Sequence, residues 1–594
     1  MCGIIGNFGK IDEATKRSLG LLRHRGPDAS GEWTSPDGLC WLGHRRLSIL
    51  ELSDAGAQPM VSASGRFVIV FNGEIYNHLE LRKQLALLSW RGHSDTETLL
   101  EAWEELGEAC LEHLAGMFAF AIFDRASGGT LHLVRDRLGI KPLYFRRQAA
   151  NSLSFASEVR ALLQGRRPTL TSEALICYLA TGHTPARGEI GEGVEILPPG
   201  SLLRIDRNGD VSRRIWWRCA QKSPHPAPES LDQVQAGVRS HVEAAVAEHL
   251  LADVPVAAFL SGGIDSSIIS LVAARHLGSS LRTFCIGFPH AGFDERSVAR
   301  LVAERMGSQH TEIEVGPTDC QQWAVEAVAA MDLPSADAIN TYIVSKAVRQ
   351  AGIQVALSGL GGDELFGGYP SFSDIPRLGF LQKMPPPLAR ALVRFLPSGA
   401  RQKLDGATAF DPFTLALLRR RWWSEQALKS VGLKGSVPWP CQEEVFLDNT
   451  QTISVAEILG YMEPMLLRDS DQMSMAVSLE LRVPLLDHRL VEFILSLPEK
   501  WKRGRPPKRL LIDSFADILP NEVWNRPKQG FALPMDDWMR GPLQEFCRHG
   551  VDVARARLDA RFIDFAAVAF QEKKLHWTRL WQIAVLGHYS ERST

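Results

Sequence analysis

The segment Val254-Pro-Val-Ala-Ala-Phe-Leu-Ser-Gly-Gly-Ile-Asp-Ser-Ser267 contains a short apolar run, a glycine turn and the start of an apolar helix. The run predicts a buried strand over 254–260, and the apolar spacing predicts a helix over 266–277. A strand followed at once by a helix is the usual beginning of a parallel α/β unit.

The segments around this unit repeat the alternation. Apolar spacing predicts a helix over 231–250 before it, and then a strand over 281–287 and a helix over 295–306. A helix over 341–348 and a strand over 355–357 follow. Alternating strands and helices predict a parallel sheet, and the chain after about residue 376 has mostly helical spacing.

The first part of the chain has a different pattern. Residues 67–71 and 118–123 predict buried strands, and residues 79–88 and 96–106 predict helices, the second capped by Ser94 or Asp95. Strands outnumber helices, which favours a layered α+β domain. Residues 220–229 are polar and proline-rich, so we expect a linker between domains at 1–219 and 230–594.

Composition excludes several function classes. The 594 residues are 45% hydrophobic and 23% charged with a net charge of −2, so no basic field for nucleic acid is expected. The longest apolar stretch, 114–123, is too short to span a bilayer, and the first residues lack a signal-peptide pattern. Nine scattered cysteines favour reduced thiols and a cytoplasmic location with no membrane partner.

Cys2 is the candidate nucleophile among those cysteines. An initiator methionine before a small residue is normally removed, and Cys2 would then carry a free α-amine. That amine can act as general base for its own thiol, so no His or Asp partner is required. Cysteine at position 2 is weak evidence alone, because small residues are common there.

Four motifs accompany Cys2 in the first domain: Arg23-His-Arg-Gly-Pro-Asp28, Gly43-His-Arg-Arg-Leu-Ser-Ile49, Phe71-Asn-Gly-Glu-Ile-Tyr-Asn77 and Ser94-Asp-Thr-Glu97. Alone, Asn72-Gly73 also fits a hairpin turn and Arg46 a surface arginine. Together they resemble the glutamine amidotransferases of the N-terminal-nucleophile type. That resemblance implies that Arg46 holds the glutamine carboxylate, that Asp95 and Glu74 hold its ammonium, and that Asn72 and Gly73 form the oxyanion hole.

The turn Ser261-Gly-Gly-Ile-Asp-Ser-Ser267 predicts a phosphate site. Glycines let the backbone approach phosphates, serines supply hydroxyls, and a helix N-terminus favours anions. The loop lacks the Walker pattern and resembles the pyrophosphate loop of ATP pyrophosphatases. Asp265 beside a triphosphate requires Mg²⁺ between them, and Asp363 in Ser358-Gly-Leu-Gly-Gly-Asp-Glu-Leu-Phe-Gly-Gly-Tyr369 is the candidate second ligand. A plain strand–helix turn, and a helix cap at Asp363, remain the alternatives.

Three further motifs extend the resemblance: Arg468-Asp-Ser-Asp-Gln-Met-Ser-Met475, Leu479-Glu-Leu-Arg-Val-Pro-Leu-Leu-Asp487 and Asn525-Arg-Pro-Lys-Gln-Gly-Phe531. With them the chain resembles the glutamine-hydrolysing asparagine synthetases over roughly residues 1–540. The resemblance implies an acyl-adenylate, release of AMP and pyrophosphate, an ammonia tunnel, and a homodimer. It places Lys508 beside the phosphates. It assigns ATP contacts to Leu260, Ser261, Gly262, Gly263, Asp265, Ser266, Ser267, Ile286, Ser358 and Gly359.

Two departures from the family pattern concern the acceptor. Leu360 stands where well-known members have an acidic residue, and Asn340 replaces a proline. An acid at 360 can bind the ammonium of aspartate or move a proton, and leucine can do neither. The resemblance implies aspartate as the acceptor, and these two departures open the alternative of another carboxylate, such as a uronic acid of a surface polysaccharide or a biosynthetic intermediate.

More distant alternatives fit the motifs less well. A ring-closing relative such as a β-lactam synthetase needs no glutaminase nucleophile, whereas Cys2, Arg46, Asn72 and Asp95 are all present. Sugar-phosphate and phosphoribosyl amidotransferases share only the first domain. A non-catalytic scaffold has no reason to carry both motif sets.

Overall fold

The computed structural model describes residues 2–86, 89–126, 128–149, 151–219, 228–287, 296–440, 448–502, 504–526 and 533–591. Within these ranges the strands form three sheets. Two antiparallel sheets belong to the N-terminal part of the chain and one parallel sheet to the C-terminal part.

The N-terminal strands pair in two sheets, with the orders β10-β11-β8-β9-β1-β3-β2 and β13-β12-β7-β6-β5-β4. They are β1 (Cys2–Phe8), β2 (Ala29–Thr34), β3 (Cys40–Arg46), β4 (Met60–Val61), β5 (Phe67–Ile75), β6 (Gly116–Asp124), β7 (Thr130–Arg135), β8 (Tyr144–Ala149), β9 (Ser152–Ala156), β10 (Glu189–Gly191), β11 (Val194–Ile196), β12 (Ser201–Asp206) and β13 (Val211–Ile215). The helices of this part are α1 (Glu13–Arg17), α2 (His78–Arg82), α3 (Asp95–Leu106), α4 (Cys110–His113), α5 (Val159–Leu162) and α6 (Ser172–Thr181).

Alternation of apolar side chains along the strands builds the layers of this part. Ile4 of β1 and Val70 of β5 lie in one core between the two sheets. Their neighbours point to the opposite faces: Ile5 joins a core on the outer side of the first sheet, and Ile69 packs with Leu100 of α3 outside the second. Strands that are apolar on both faces are therefore covered on both sides, and the domain is a layered sandwich.

The C-terminal sheet has the order β16-β15-β14-β17-β18 and is entirely parallel. Its strands are β14 (Val256–Phe259), β15 (Arg282–Gly287), β16 (Gln309–Glu314), β17 (Val355–Leu357) and β18 (Glu480–Arg482). Chain order reverses at β14, between β15 and β17. Ligands of open parallel sheets bind outside the carboxyl ends of the strands at such a reversal.

Helices surround this sheet and form most of the remaining chain, including a π-helical stretch at Ile458–Leu467. They are α7 (Leu231–His249), α8 (Ile264–Leu277), α9 (Arg296–Met306), α10 (Pro317–Ala330), α11 (Ile339–Gln350), α12 (Gly362–Phe366), α13 (Ser371–Arg377), α14 (Gly379–Gln382), α15 (Pro386–Val393), α16 (Ser398–Leu404), α17 (Pro412–Arg419), α18 (Glu425–Ser430), α19 (Asn449–Glu457), α20 (Arg468–Met475), α21 (His488–Ser496), α22 (Glu499–Lys502), α23 (Arg509–Ser514), α24 (Asn521–Trp524), α25 (Met535–Arg540), α26 (Gln544–Ala554), α27 (Ala560–Gln571) and α28 (Trp577–Glu591).

The expected fold class, a layered α+β domain followed by a parallel α/β domain with a helical remainder, is confirmed. The strands β16 and β18 were not expected. The helix expected over 79–88 is shorter, since α2 spans His78–Arg82, and residues 87–88 of that expectation lie outside the described residues. Most of the expected linker, residues 220–227, lies outside the described residues, and α7 begins directly after Ser230.

Candidate active site

Cys2 lies at the start of β1, where hydrogen bonds hold its backbone on both sides. Its nitrogen donates to Asn72 Oδ1 (2.9 Å), and its carbonyl accepts from Arg25 Nε (3.2 Å). The register of β1 and β3 pairs Cys2 with Arg46. Burial raises the pKa of the Cys2 thiol above its usual value, so a base close to the sulfur is required for thiolate chemistry.

Asn72 and Gly73 lie side by side in β5, facing the Cys2 strand. The Asn72 side chain is buried, and its Nδ2 has no hydrogen-bond partner among the described residues. Gly73 permits close packing, because a Cβ there would stand 2.2 Å from the carbonyl oxygen of Met117. An unpaired buried N–H group beside a nucleophile is the kind of donor that an oxyanion requires.

Glu74 and Asp95 form an acidic pair next to this strand. Asp95 Oδ2 accepts from the Ile75 amide (2.9 Å), and Ser94 caps the helix that Asp95 begins. Burial raises the pKa of Asp95 to about 6. Burial and the nearby Asp95 also raise the pKa of Glu74, which its ion pair with Arg482 opposes. A ligand ammonium placed beside this pair would favour the charged carboxylates and lower both pKa values.

Arg46 ends β3 and turns its guanidinium toward the following loop. Nη1 donates to the Ser53 carbonyl (2.9 Å) and Nη2 to the Glu51 carbonyl. A guanidinium has five N–H donors, so these bonds leave capacity for a bidentate carboxylate. The sequence-predicted residues Cys2, Arg46, Asn72, Gly73, Glu74 and Asp95 thus meet in one place.

Sequence reasoning missed Arg482, which belongs to β18 of the other domain. It is fully buried and donates to Glu480 Oε1 (2.6 Å), Glu74 Oε2 (3.0 Å) and the carbonyls of His249 and Leu251. Arg482 lies within the motif Leu479–Asp487, but its local sequence gives no sign of a contact with Glu74, 408 positions away.

A second buried network joins the domains nearby. Arg25 forms ion pairs with Glu158 (3.2 Å) and Asp471 (2.8 Å), and Lys141 lies 3.4 Å from the same Asp471. All four side chains are buried, so the domain boundary is charged and closely packed. Buried ion pairs of this kind add little net stability, because the cost of removing both charges from water offsets their attraction.

A cavity of about 500 Å³ opens at the carboxyl ends of β14, β15 and β17. Its lining includes nine sequence-predicted residues: Leu260, Ser261, Gly263, Asp265, Ser266, Ile286, Ser358, Gly359 and Lys508. The predicted Asp363 also lines it. Gly262 belongs to the glycine turn before α8, and Ser267 belongs to the first turn of α8.

The turn at the start of α8 leaves its N-terminus open toward this cavity. Gly263 is the cap residue and supplies no side chain, so the first helical N–H groups keep their positive end exposed to the turn. Ser261 Oγ and Ser266 Oγ lie 3.0 Å apart, and the buried Ser267 Oγ has no hydrogen-bond partner among the described residues. Hydroxyls and helix N–H groups together suit an anionic phosphate.

Lys508 lies between the two predicted metal ligands. Its Nζ contacts Asp265 Oδ2 and lies 2.6 Å from Asp363 Oδ1. Burial lowers the pKa of Lys508, but the two carboxylates outweigh burial and hold that pKa above its usual value. Close packing brings the acids together, because a Cβ on Gly362 would stand 2.4 Å from Asp265 Cγ. Two carboxylates that converge on one cation are a donor set that fits Mg²⁺.

The side of the cavity beyond Asp363 combines apolar and acidic groups. Leu360 lines it together with Asp337, Asn340, Glu364 and Tyr369. The Asn340 amide donates to Asp337 Oδ1 (3.0 Å), and the Tyr369 hydroxyl donates to Glu364 Oε1 (2.7 Å). Burial, with help from Asp363, raises the pKa of Glu364 to about 7. Leu360 thus places no charge where an acid was expected, while Asp337 and Glu364 stand nearby.

Part of the motif at 525–531 falls on residues 527–532, which lie outside the described residues. Arg526 is described, and its Nη2 donates to the Gly262 carbonyl of the phosphate turn (2.8 Å). None of the helices in the described part of the chain combines the length and apolarity that crossing a bilayer requires.

Comparisons with known proteins match two family models to this chain. A family model described as asparagine synthase matches residues 237–589, and one described as glutamine amidotransferase domain matches residues 1–217. The chain is 32% identical over 575 residues to asparagine synthetase (glutamine-hydrolyzing) 1 of Bacillus subtilis, covering 92% of this chain and 89% of that protein. It is likewise 32% identical to asparagine synthetase (glutamine-hydrolyzing) 3 of the same organism, over 89% and 87% of the two chains. Amidase chry2 of Gibberella zeae is 27% identical over 95% of this chain and 91% of that protein.

Proposed function

Because the chain belongs to the asparagine synthase family and resembles two Bacillus subtilis proteins that are named as glutamine-hydrolysing, we propose that it amidates a carboxylate with nitrogen from glutamine at the expense of ATP. The observation that carries this proposal is the presence of two separate sites in one chain. Cys2 stands beside an unpaired Asn72 donor, and Lys508 stands between two carboxylates at the mouth of a parallel sheet.

In the first site, the Cys2 sulfur attacks the amide carbon of glutamine after Met1 is removed. The thiol proton passes through the freed α-amine to the leaving ammonia, and water then releases glutamate. Asn72 Nδ2 and the Gly73 N–H stabilise the oxyanion. Arg46 binds the α-carboxylate of glutamine, and Asp95 with Glu74 binds its ammonium.

In the second site, the turn at Ser261–Ser266 and the open end of α8 bind the pyrophosphate part of ATP. The adenine lies against the backbone near Leu260 and Ile286, with Ser358 and Gly359 on the opposite side. Asp265 and Asp363 would hold Mg²⁺, which neutralises phosphate charge when it is bound. Lys508 adds a fixed positive charge beside the same phosphates.

The chemistry at this second site consists of two nucleophilic displacements, the first at the α-phosphorus of ATP and the second at the acyl carbon. An oxygen of the acceptor carboxylate attacks the α-phosphorus, the bond to pyrophosphate breaks, and an acyl-adenylate forms. Ammonia from the first site then attacks the acyl carbon, and AMP leaves. The fixed charges of Lys508 and of the α8 N-terminus favour the extra negative charge of each transition state.

L-Aspartate is the acceptor we propose first. The similarity to the named asparagine synthetases supports it, and Asp337 and Glu364 in the cavity offer carboxylates for its ammonium. A different carboxylate, such as a uronic acid, is the second candidate. Leu360 favours this second candidate, because the cavity is apolar where a charged partner for aspartate was expected.

The deciding experiment measures pyrophosphate release from Mg-ATP and glutamine, with and without aspartate. Release that depends on aspartate and equals asparagine formed supports the first acceptor. Release that ignores aspartate but responds to a uronic acid supports the second. Cys2→Ala must abolish glutamine-dependent turnover while free ammonia still supports it, and a chain inactive with every carboxylate contradicts the proposal.

A further inference from the structure

Residues 375–404 form a basic segment that the proposed reaction does not use. They contain six cationic residues, Arg377, Lys383, Arg390, Arg394, Arg401 and Lys403, and no aspartate or glutamate. The chain as a whole has 66 basic and 68 acidic residues, so this run departs sharply from its surroundings. It begins six residues after Tyr369 of the acceptor cavity.

The inner side of the basic segment is anchored in the main core. Leu381, Ala389, Val393 and Leu404 are buried there, from α14, α15 and α16. The segment is therefore a folded part of the surface, and the side chains on its other side project from a fixed scaffold.

The outer side of the basic segment carries solvent-exposed apolar side chains. Phe395 is 86% exposed, Leu388 52% and Phe380 46%. Leu388, the partly buried Leu392 and Phe395 follow one another at spacings of four and three residues. The turn after α15 continues through i→i+3 hydrogen bonds, so the three share one side of the helix. Isolated exposed apolar residues need no explanation, but an aligned group does.

Cations occur in the same segment as this apolar group. The side chains of Lys383, Arg394 and Arg401 are exposed and make no hydrogen bond or ion pair with any residue that the structure describes. Arg390 and Lys403 by contrast donate to the carbonyls of Ala407 and Arg419 and hold the segment together. Three solvated cations in one folded segment with an exposed phenylalanine and an exposed leucine are the composition of an interfacial membrane contact.

We propose that the basic segment binds the surface of an anionic lipid bilayer, with Phe395 and Leu388 in the headgroup boundary and Lys383, Arg394 and Arg401 on lipid phosphates. This inference rests on no part of the proposed reaction, and it departs from the sequence-based expectation of no membrane partner. A second copy of this face is a poor occupant, because an isologous contact would set cations against cations. A nucleic acid would use the cations but would leave the exposed Leu388 without an apolar partner.

Flotation of the full-length chain with vesicles tests the proposal. Vesicles of equal parts phosphatidylglycerol and phosphatidylcholine are expected to bind the chain at low salt and to release it at high salt. Vesicles of phosphatidylcholine alone are expected to bind far less. Replacing Lys383, Arg394 and Arg401 by Gln is expected to weaken binding about fivefold for each cation and about 100-fold together.

The matched control replaces three exposed cations in other segments, Lys10, Arg147 and Lys434, by Gln and is expected to bind like the unmodified chain. Phe395→Ser keeps every charge and is expected to weaken binding about tenfold, which distinguishes insertion from simple attraction. An unfolding midpoint in urea equal to that of the unmodified chain shows that each variant is folded.

Three results would overturn the proposal. They are no flotation with phosphatidylglycerol vesicles, equal loss of binding in the control triple, and salt-sensitive binding to RNA without binding to vesicles.

Discussion

Replacing Lys508 by Met tests whether this lysine balances the charge of Asp265 and Asp363. The Lys508 ammonium lies 2.6 Å from Asp363 and also contacts Asp265. At an effective dielectric constant of about 20, one such pair interacts by about 6 kcal/mol before desolvation is subtracted. Removing one partner of a buried pair typically costs about 3–5 kcal/mol, because the remaining charge stays buried. We therefore expect Lys508→Met to lower the free energy of unfolding by that amount in metal-free buffer.

We also expect Mg²⁺ to restore part of the stability that Lys508→Met loses. Without the ammonium they share, Asp265 and Asp363 should bind Mg²⁺ in the absence of nucleotide. Mg²⁺ at ten times its dissociation constant would then restore about 1.4 kcal/mol. The assay is denaturant-induced unfolding followed by intrinsic fluorescence, with and without MgCl₂. The same variant should lose ATP–pyrophosphate exchange by at least about 100-fold, as for other electrostatic contacts to a transition state.

Lys502→Met is the matched control, because Lys502 is also a buried lysine. Its Nζ donates to the Ile494 carbonyl (3.3 Å), and burial lowers its pKa to about 8. We expect a small stability change and no response to Mg²⁺. If Lys508→Met unfolds at the same denaturant concentration as Lys502→Met, Lys508 does not balance the two acids and our assignment is wrong.

Three other outcomes are expected. Asn72→Ala should lower glutaminase kcat about 100- to 1000-fold while ammonia-dependent turnover persists; equal losses in both assays would argue against an oxyanion role. Because the pKa of Asp95 is raised to about 6, kcat/KM for glutamine should fall about tenfold per pH unit below 6, and an unchanged Asp95→Asn profile would contradict this. The raised pKa of Glu364, from 4.5 to about 7, favours the protonated folded state. The free energy of unfolding should therefore contain a contribution from protonated Glu364 of roughly 3 kcal/mol, which is fully present below pH 4.5 and is lost as the pH rises through 7. In urea unfolding, Glu364→Gln should remove this fall of stability between pH 4.5 and 7.

Much of the fold could be predicted from local patterns. The apolar run at 254–260, the glycine turn and the helix after it reappear as β14 and α8, and the strand at Val355–Leu357 was placed correctly. β16 was missed because it is an edge strand of Gln, His, Thr and Glu with Ile313 as its single apolar residue, and one apolar residue shows no alternation. β18 was missed because three residues in a helical region are too few to show a period.

The residues of the candidate sites could also be predicted in part from local patterns and in part not. Motif residues such as Cys2, Asn72 and Asp95 could be named from the sequence, because each stands in a recognisable local pattern. Arg482 could not be assigned a role, since its contact with Glu74 joins strands from two domains. The Lys508 position was named from the resemblance, but its placement between Asp265 and Asp363 depends on the close approach of Gly362, which only the folded chain shows.

Arg482 also limits how far the two halves of this enzyme are modular. Its guanidinium contacts Glu74 of the proposed glutamine site, while its strand pairs with β17, which leads into Ser358 of the proposed nucleotide cavity. A glutaminase cut off after residue 219 would keep every residue of its own catalytic set and yet lose the cation that Glu74 contacts. Recombining this domain with a different synthetase would therefore require the graft to supply a buried arginine at that point. The proposed glutamine site therefore depends on a residue outside the domain that carries Cys2.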